Sequence, residues 1–372
     1  MRSISDIDPN MAIKDPDVEG ITWYSPLNKN MFKAYGSEHF YEGDYARLSR
    51  LQREEVIKVS KDVEHLSKWC AGLQLKFKTN STRIMLDVEL RAPHDMNNMT
   101  TIAQCGFDIY VYDEEVKDYI FHNAGAYPRH LDKYRVELSV FNYFDKTKKE
   151  REYIINFPLY QGVKDVKIGL DSDSVTSPVE YKNDGKIVIY GTSIAEGGCV
   201  SRPGLAYTNI LSRWLDMEVY NQGYSGSALL EPIMGDYVGQ VGNQKLLVID
   251  AEANAGWTYK MKDNLENFII EYKKHHPYVP ILLVSRCLFA ADMFDNEHIE
   301  LRKFYKGFVH NLIEKYKNLG YEMYFLDGDH FFDGFKFHYT EFTVDGVHPT
   351  DFGSYLMAEH HLKSIKDILK IE

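Results

Sequence analysis

Residues 186–195 read Lys186-Ile187-Val188-Ile189-Tyr190-Gly191-Thr192-Ser193-Ile194-Ala195, an apolar run that stops abruptly at Gly-Thr-Ser. Ile187 to Tyr190 fit a buried parallel strand, because both faces of such a strand are covered and no polar alternation is required. Gly191 permits a sharp turn at its end. A serine just past the carboxyl end of a first parallel strand lies where open α/β sheets place their ligands, which makes Ser193 a candidate nucleophile. By itself the tripeptide also suits an ordinary strand-to-helix turn with a capping hydroxyl.

Downstream, the same grammar of strand, loop and helix repeats. Apolar strands recur at Glu218 to Asn221, Leu246 to Asp250, Ile281 to Ser285 and Met323 to Leu326. Amphipathic stretches at Ala206 to Leu215, Leu265 to His275 and Ile299 to Asn318 separate them, and a last helix is expected from Asp351 to about Ile371 with Thr350 as N-cap. This alternation predicts a doubly wound parallel sheet with helices on both faces, a three-layer α/β/α domain. Upstream the pattern differs. Short strand candidates with period-two alternation follow one another at Leu73 to Lys78, Ile84 to Leu90, Phe107 to Tyr112, Tyr119 to His122, Tyr134 to Phe141, Tyr153 to Phe157 and Val166 to Leu170. No long helix intervenes, which predicts an antiparallel β-sandwich or jelly roll. Residues 1 to about 68 are mixed, with one polar helical stretch from Gly43 to Lys58. The turn-rich segment from Asp171 to Asp184 is the expected linker. Two domains follow: residues 1–175, a β-sandwich accessory domain, and residues 185–372, the α/β domain.

Length and composition support this division, since 372 residues exceed what one core usually serves, and 44% hydrophobic with 14% aromatic residues suffices for two. The net charge of −12 comes without any basic block, so nucleic acid and anionic membrane are excluded as expected partners. No signal-peptide core occupies the N-terminus and no run of 18 apolar residues occurs, from which a cytoplasmic location is expected. Cys70, Cys105, Cys199 and Cys287 are scattered and form no C-x-x-C pair, so free thiols are expected rather than a metal or disulfide framework. Self-association is left open.

A serine hydroxyl is a weak nucleophile until a base removes its proton, and that base needs an orienting acceptor. Of fourteen histidines, His348 alone sits in Asp345-Gly346-Val347-His348-Pro349, a short loop ahead of the final helix. Pro349 biases His348 away from helical backbone, and Gly346 lets the loop fold so that Asp345 reaches Nδ1. Nε2 then faces a serine or substrate. In a doubly wound sheet this loop and Ser193 share the carboxyl edge. Two further loops at that edge carry hydrogen-bond donors. Gly226, in Asn221-Gln222-Gly223-Tyr224-Ser225-Gly226-Ser227, offers a backbone N–H, and Asn254, after the third strand, a side-chain amide. With the N–H of Ser193 they compose a three-donor oxyanion hole. Tyr224, Trp257 and Arg286 are the candidate substrate contacts. Asp327, Asp329, His330 and His338 carry metal-ligand chemistry but match no established spacing, and no metal or organic cofactor is expected. Cys199 lacks any neighbour that lowers a thiol pKa and reads as packing.

These blocks resemble the SGNH (GDSL-type) hydrolase superfamily. Its serine block is matched by Gly191-Thr192-Ser193-Ile194, its glycine block by Tyr224-Ser225-Gly226, its asparagine block by Asn254 and its last block by Asp345-Gly346-Val347-His348-Pro349. Thr192 stands where the name-giving motif has Asp, and Asn254 lacks the usual preceding Gly. The resemblance spans residues 186–372 and implies a flavodoxin-like domain. Gly106-Phe107-Asp108-Ile109-Tyr110 is similar to the Gly-x-Asp-Leu-Tyr signature of a β-sandwich module that precedes this domain in a two-domain subgroup. The resemblance implies a serine esterase acting on small esters, carbohydrate-linked or other, without naming the acyl group; acetyl is the group expected here. Acyl transfer to a sugar or natural-product hydroxyl is the alternative.

Overall fold

Ten strands run through the first half of the chain in the computed structural model, which describes residues 4–8, 12–13, 15–141, 148–336 and 338–371. They are β1 (Ile21–Tyr24), β2 (Lys33–Tyr35), β3 (Gln74–Thr79), β4 (Arg83–Leu90), β5 (Asp108–Asp113), β6 (Asp118–Ala124), β7 (Lys133–Val140), β8 (Arg151–Asn156), β9 (Val163–Asp171) and β10 (Thr176–Pro178). One antiparallel sheet has the order β1-β9-β4-β7 and the other β10-β3-β8-β5-β6, with β2 also on β3. Alternate residues turn inward, as the period of two requires. Leu75 and Phe77 of one sheet meet Ile84, Leu86, Val136, Ile168 and Leu170 of the other in a common core. The result is the expected β-sandwich.

Two local expectations need correction. The segment read as a linker contributes β10, whose Thr176, Ser177 and Pro178 pair with Thr79, Lys78 and Phe77. Proline is tolerated there because β10 lies on a sheet edge. The helix expected from Gly43 to Lys58 starts only at Arg50, where Ser49 forms a capping box with Gln52, and it ends at Val56.

The second half supplies β11 (Lys186–Gly191), β12 (Glu218–Gly223), β13 (Gln244–Asp250), β14 (Ile281–Val284) and β15 (Met323–Leu326). They pair in parallel in the order β12-β11-β13-β14-β15, the flavodoxin-like doubly wound arrangement. Both faces are covered. Val188, Tyr190, Leu247, Ile249 and Leu283 pack under the helices Pro232–Gln240, Lys260–His275 and Asn296–Asn318. Ile187, Ile189, Leu246, Val248 and Leu282 face the helices Tyr207–Leu215 and Asp351–Leu369. The last helix is capped by Thr350, whose hydroxyl accepts from Gly353 N–H. Register decides where the chemistry goes: Gly191 lies beside both Gly223 and Asp250, so three loops leave the sheet at one level. No helix among the described residues is long and apolar enough to cross a membrane.

Candidate active site

At the end of β11 the chain turns through Thr192 into a one-turn helix, Ser193–Glu196. Thr192 takes the N-cap position and accepts from Ile194 N–H at 3.3 Å. A hydroxyl there does the capping work for which the motif's usual aspartate is also suited. Ser193 thereby becomes the first helical residue. Its side chain is 8% exposed.

The loop before the last helix brings His348 to it. Ser193 Oγ lies 2.9 Å from His348 Nε2, and His348 Nδ1 lies 2.8 Å from Asp345 Oδ2. The other oxygen of Asp345 accepts from the N–H groups of Val347 and His348 at 3.1 and 2.9 Å. Burial alone raises the Asp345 carboxyl, but these bonds and the His348 ring outweigh it and hold the carboxyl below the usual range. An ionised Asp345 fixes the proton of His348 on Nδ1, which leaves Nε2 as acceptor for the serine hydroxyl. Chemically, this arrangement can deprotonate Ser193 as it attacks an electrophilic carbon.

The next two loops carry Gly226 and Asn254, the donors expected from the sequence. Gly226 adopts φ +67°, a left-handed conformation that glycine tolerates best, although an added Cβ would meet nothing within 4 Å. Asn254 sits in the short helix Glu252–Ala255, and its Oδ1 accepts from Ala228 N–H at 3.4 Å. That contact ties the Asn254 loop to the Gly226 loop.

Of the expected substrate contacts, Trp257 is 51% exposed and stands over His298 with ring centroids 4.5 Å apart. Arg286 is buried, its guanidinium bound through both terminal nitrogens to Asp292 at 2.6 Å each. It lines a cavity with Trp257. Tyr224 corrects the expectation. It is fully buried, its hydroxyl donates to Gln222 and the Arg47 guanidinium covers its ring, so no substrate reaches it.

Sequence reasoning missed residues that brace these loops from the first half of the chain. Arg47 is 1% exposed and donates to Glu196 Oε1 at 2.6 Å, to Leu66 O at 2.7 Å and to Gly223 O. Glu196 Oε2 in turn accepts from Ser225 N–H at 2.9 Å. Burial pushes the Glu196 carboxyl up to about 7, against the pull of Arg47. Tyr160 donates to Ser193 O at 3.0 Å. No local pattern marks Arg47 or Tyr160, because their partners lie far along the chain.

Cys199, Asp345 and His348 present metal-ligand atoms to one another. Both His348 nitrogens are already engaged, and burial pushes the Cys199 thiol up to about 12, so it stays protonated and is a poor ligand. The acidic cluster at Asp327 and Asp329 is neutralised by Lys306 and Arg302.

Comparison with known proteins places these features in context. The model of the GDSL-like lipase/acylhydrolase family matches residues 184–366, and that of the GxDLY N-terminus of SGNH-hydrolase-type esterases matches residues 21–176. A GDSL-like lipase from Bacteroides ovatus ATCC 8483 has a similar structure, with TM-score 0.82 at 25% identity over 95% of this chain and 99% of its own. A salicylyl-acyltransferase from a tetracycline biosynthetic pathway gives TM-score 0.71 at 14% identity over 95% and 98%. A family two carbohydrate esterase from Clostridium thermocellum, solved with cellohexaose, gives 0.56 at 14% over 81% and 94%. No curated protein matches by sequence.

Proposed function

Because the chain belongs to the GDSL-like lipase/acylhydrolase family of SGNH hydrolases and is an ester hydrolase, we propose that Ser193 is its nucleophile, His348 its base and Asp345 the group that orients His348. The observation that carries this is the continuous hydrogen-bonded line from Ser193 Oγ through His348 to Asp345, at 2.9 and 2.8 Å. Ser193 Oγ attacks the ester carbonyl while His348 Nε2 takes its proton. The N–H groups of Ser193 and Gly226 and the Asn254 amide stabilise the oxyanion. As the tetrahedral intermediate collapses, the C–O bond to the alcohol breaks and His348 protonates the departing oxygen. Water, deprotonated by the same histidine, then cleaves the acyl-serine and releases the acid. The substrates are small acyl esters, acetyl above all, of carbohydrates. The carbohydrate esterases among the structural neighbours support this reading.

Ser193→Ala is expected to lower turnover of p-nitrophenyl acetate by about 10⁴-fold or more, as loss of a serine nucleophile does elsewhere. Equal turnover by the two proteins would sink the assignment. Acyl transfer is the second reading, favoured by the acyltransferase whose fold matches 95% of this chain. It requires an added sugar or phenolic alcohol to capture the acyl group in preference to water, and hydrolysis undiverted by any acceptor would dismiss it.

A further inference from the structure

The two oxygens of Asp345 are held by different parts of the chain. Oδ1 accepts from the N–H groups of Val347 and His348, within its own loop. Oδ2 is the oxygen that orients His348, and its second donor comes from the β-sandwich half: Asn98 Nδ2 lies 3.4 Å from it. Among the described residues, Asn98 and His348 are the two side chains that donate to this carboxylate. The Asp345 side chain is 35% exposed, so without Asn98 the open place on Oδ2 falls to water.

Asn98 is itself exposed, yet its loop is tied down on both sides. Residues 91–100 connect β4 to the short helix Thr101–Cys105. Before Asn98, the buried Gln104 accepts from the N–H groups of Asp95 and Met96 at 3.2 and 3.1 Å and donates to Asp95 Oδ1 at 2.6 Å. After it, buried Met99 clusters with Tyr160, Val200 and Ala206, and Thr100 donates to Ser201 O. The loop is therefore seated on the stretch that follows Ser193. Other titratable groups nearby are already engaged. Cys199 brings its sulfur within 4.8 Å of the Asp345 and His348 ligand atoms, and burial keeps that thiol protonated. Asp351 Oδ1 accepts from Ser201 N–H at 2.6 Å, and His94 Nε2 lies 3.1 Å from Met99 O.

We propose that Asn98 is a positioning residue for ester hydrolysis: supplied by the β-sandwich half, it holds the Asp345 oxygen that orients His348 and so sets how readily His348 takes the serine proton. The inference rests on the Ser193–His348–Asp345 reading above. A donor on Oδ2 draws off part of the negative charge that faces the imidazole. With that donor removed, the carboxylate grips the protonated ring more tightly, and the base becomes available only at higher pH.

The test compares the pH dependence of kcat/KM for p-nitrophenyl acetate in wild type, Asn98→Leu, Asn98→Asp and Asn98→Gln, with Ser193→Ala run in parallel. The acid limb of this profile reports the proton lost by the base of the free enzyme. Asn98→Leu keeps the bulk and removes the donor, while Asn98→Asp puts a like charge against Asp345. Their acid limbs are expected to lie about 0.5 and about 1 pH unit above that of wild type, the second shift shrinking as salt is added. Asn98→Gln keeps the amide and is expected to retain the wild-type limb. Partial misfolding lowers activity at every pH and moves no limb. Acid limbs that coincide with wild type in both Asn98→Leu and Asn98→Asp, or a shift in Asn98→Gln as large as in Asn98→Leu, would overturn the inference while leaving the esterase intact. Turnover unaffected by Ser193→Ala would overturn the esterase reading itself.

Discussion

The Asn254 side chain accepts one long hydrogen bond, from Ala228 N–H, so the orientation of its proposed donor amide depends on a contact between two loops. On the proposed mechanism, removing it takes away a group that interacts with the transition state more strongly than with the ground state. Asn254→Ala is therefore expected to lower kcat by about 10²–10³-fold with little change in KM, read from steady-state kinetics on p-nitrophenyl acetate. A rise in KM at constant kcat would instead make Asn254 a substrate-binding side chain. Asp250 titrates in a different register. Burial pushes its carboxyl up to about 6, opposed by the hydrogen bond from Tyr207 at 2.9 Å. An unfolded aspartate titrates near 4. Between those values the folded state holds more protons than the unfolded one, so this group's contribution is fully present below about pH 4 and is lost as the pH rises through about 6. The melting temperature of wild type is thus expected to fall relative to that of Asp250→Asn as the pH is raised from 4 to 7, and parallel curves would refute the assignment. At this scale the local blocks were legible. Asp345 and His348 are three residues apart in a loop whose Gly and Pro restrict its path, so spacing alone foretells their contact. Tyr224 was misread because adjacency to Gly226 says nothing about which way a side chain points. Arg286 was read as a substrate contact with no sign of its burial, because its buried partner, Asp292, follows no recognised spacing.

Between the serine turn and the glycine loop runs a rigid brace. Glu196 reaches both Arg47 and Ser225 N–H, while Arg47 also holds Gly223 O, so the turn carrying Ser193 and the loop carrying Gly226 share one ion pair with both side chains at 0% exposure. Breaking a buried pair by removing one partner strands the other charge, typically at about 3–5 kcal/mol. Arg47→Met is expected to lose stability of that order in urea unfolding, and Arg47→Met/Glu196→Gln to recover part of it. A loss under about 1 kcal/mol in the single variant would show that the pair is dispensable. Strands and long amphipathic helices were read from the sequence within a few residues, because period two and period 3.6 survive as patterns in the chain. The helix Pro232–Gln240 was not. Gly235 and Gly239 lower its intrinsic propensity, and the reason for the first is tertiary: a Cβ on Gly235 would lie 2.3 Å from Phe268 O on the neighbouring helix. β1, β2 and β10 are three or four residues long, too short for any period to register.

Across the whole molecule, composition and the switch from antiparallel to alternating grammar near residue 185 were enough to foresee a sandwich followed by a parallel sheet. They carried no information on how the two halves meet. That contact joins apolar packing, in which Leu48, Val56, Val63 and Leu66 cluster with Tyr220, Tyr237 and Val238, to specific polar bonds: Gly36 N–H donates to Glu218 Oε1 at 2.8 Å, Asp108 accepts from Gly204 N–H at 2.7 Å and pairs with Arg202 at 3.1 Å, and Gln74 donates to Ser212 at 3.0 Å. Asp108 is the aspartate of the Gly106-Phe107-Asp108-Ile109-Tyr110 signature, so a motif that names the first half earns its place by gripping the second. Pairs so widely separated in sequence form only when both halves are folded, which is why one chain alone does not disclose them. Arg47 and Tyr160 extend the same contact to the carbonyls of Gly223 and Ser193 themselves. A hydrolase half joined to a different leading module would carry Ser193, Asp345 and His348 intact and yet lack Arg47 and Tyr160, the groups that hold the carbonyls of Gly223 and Ser193.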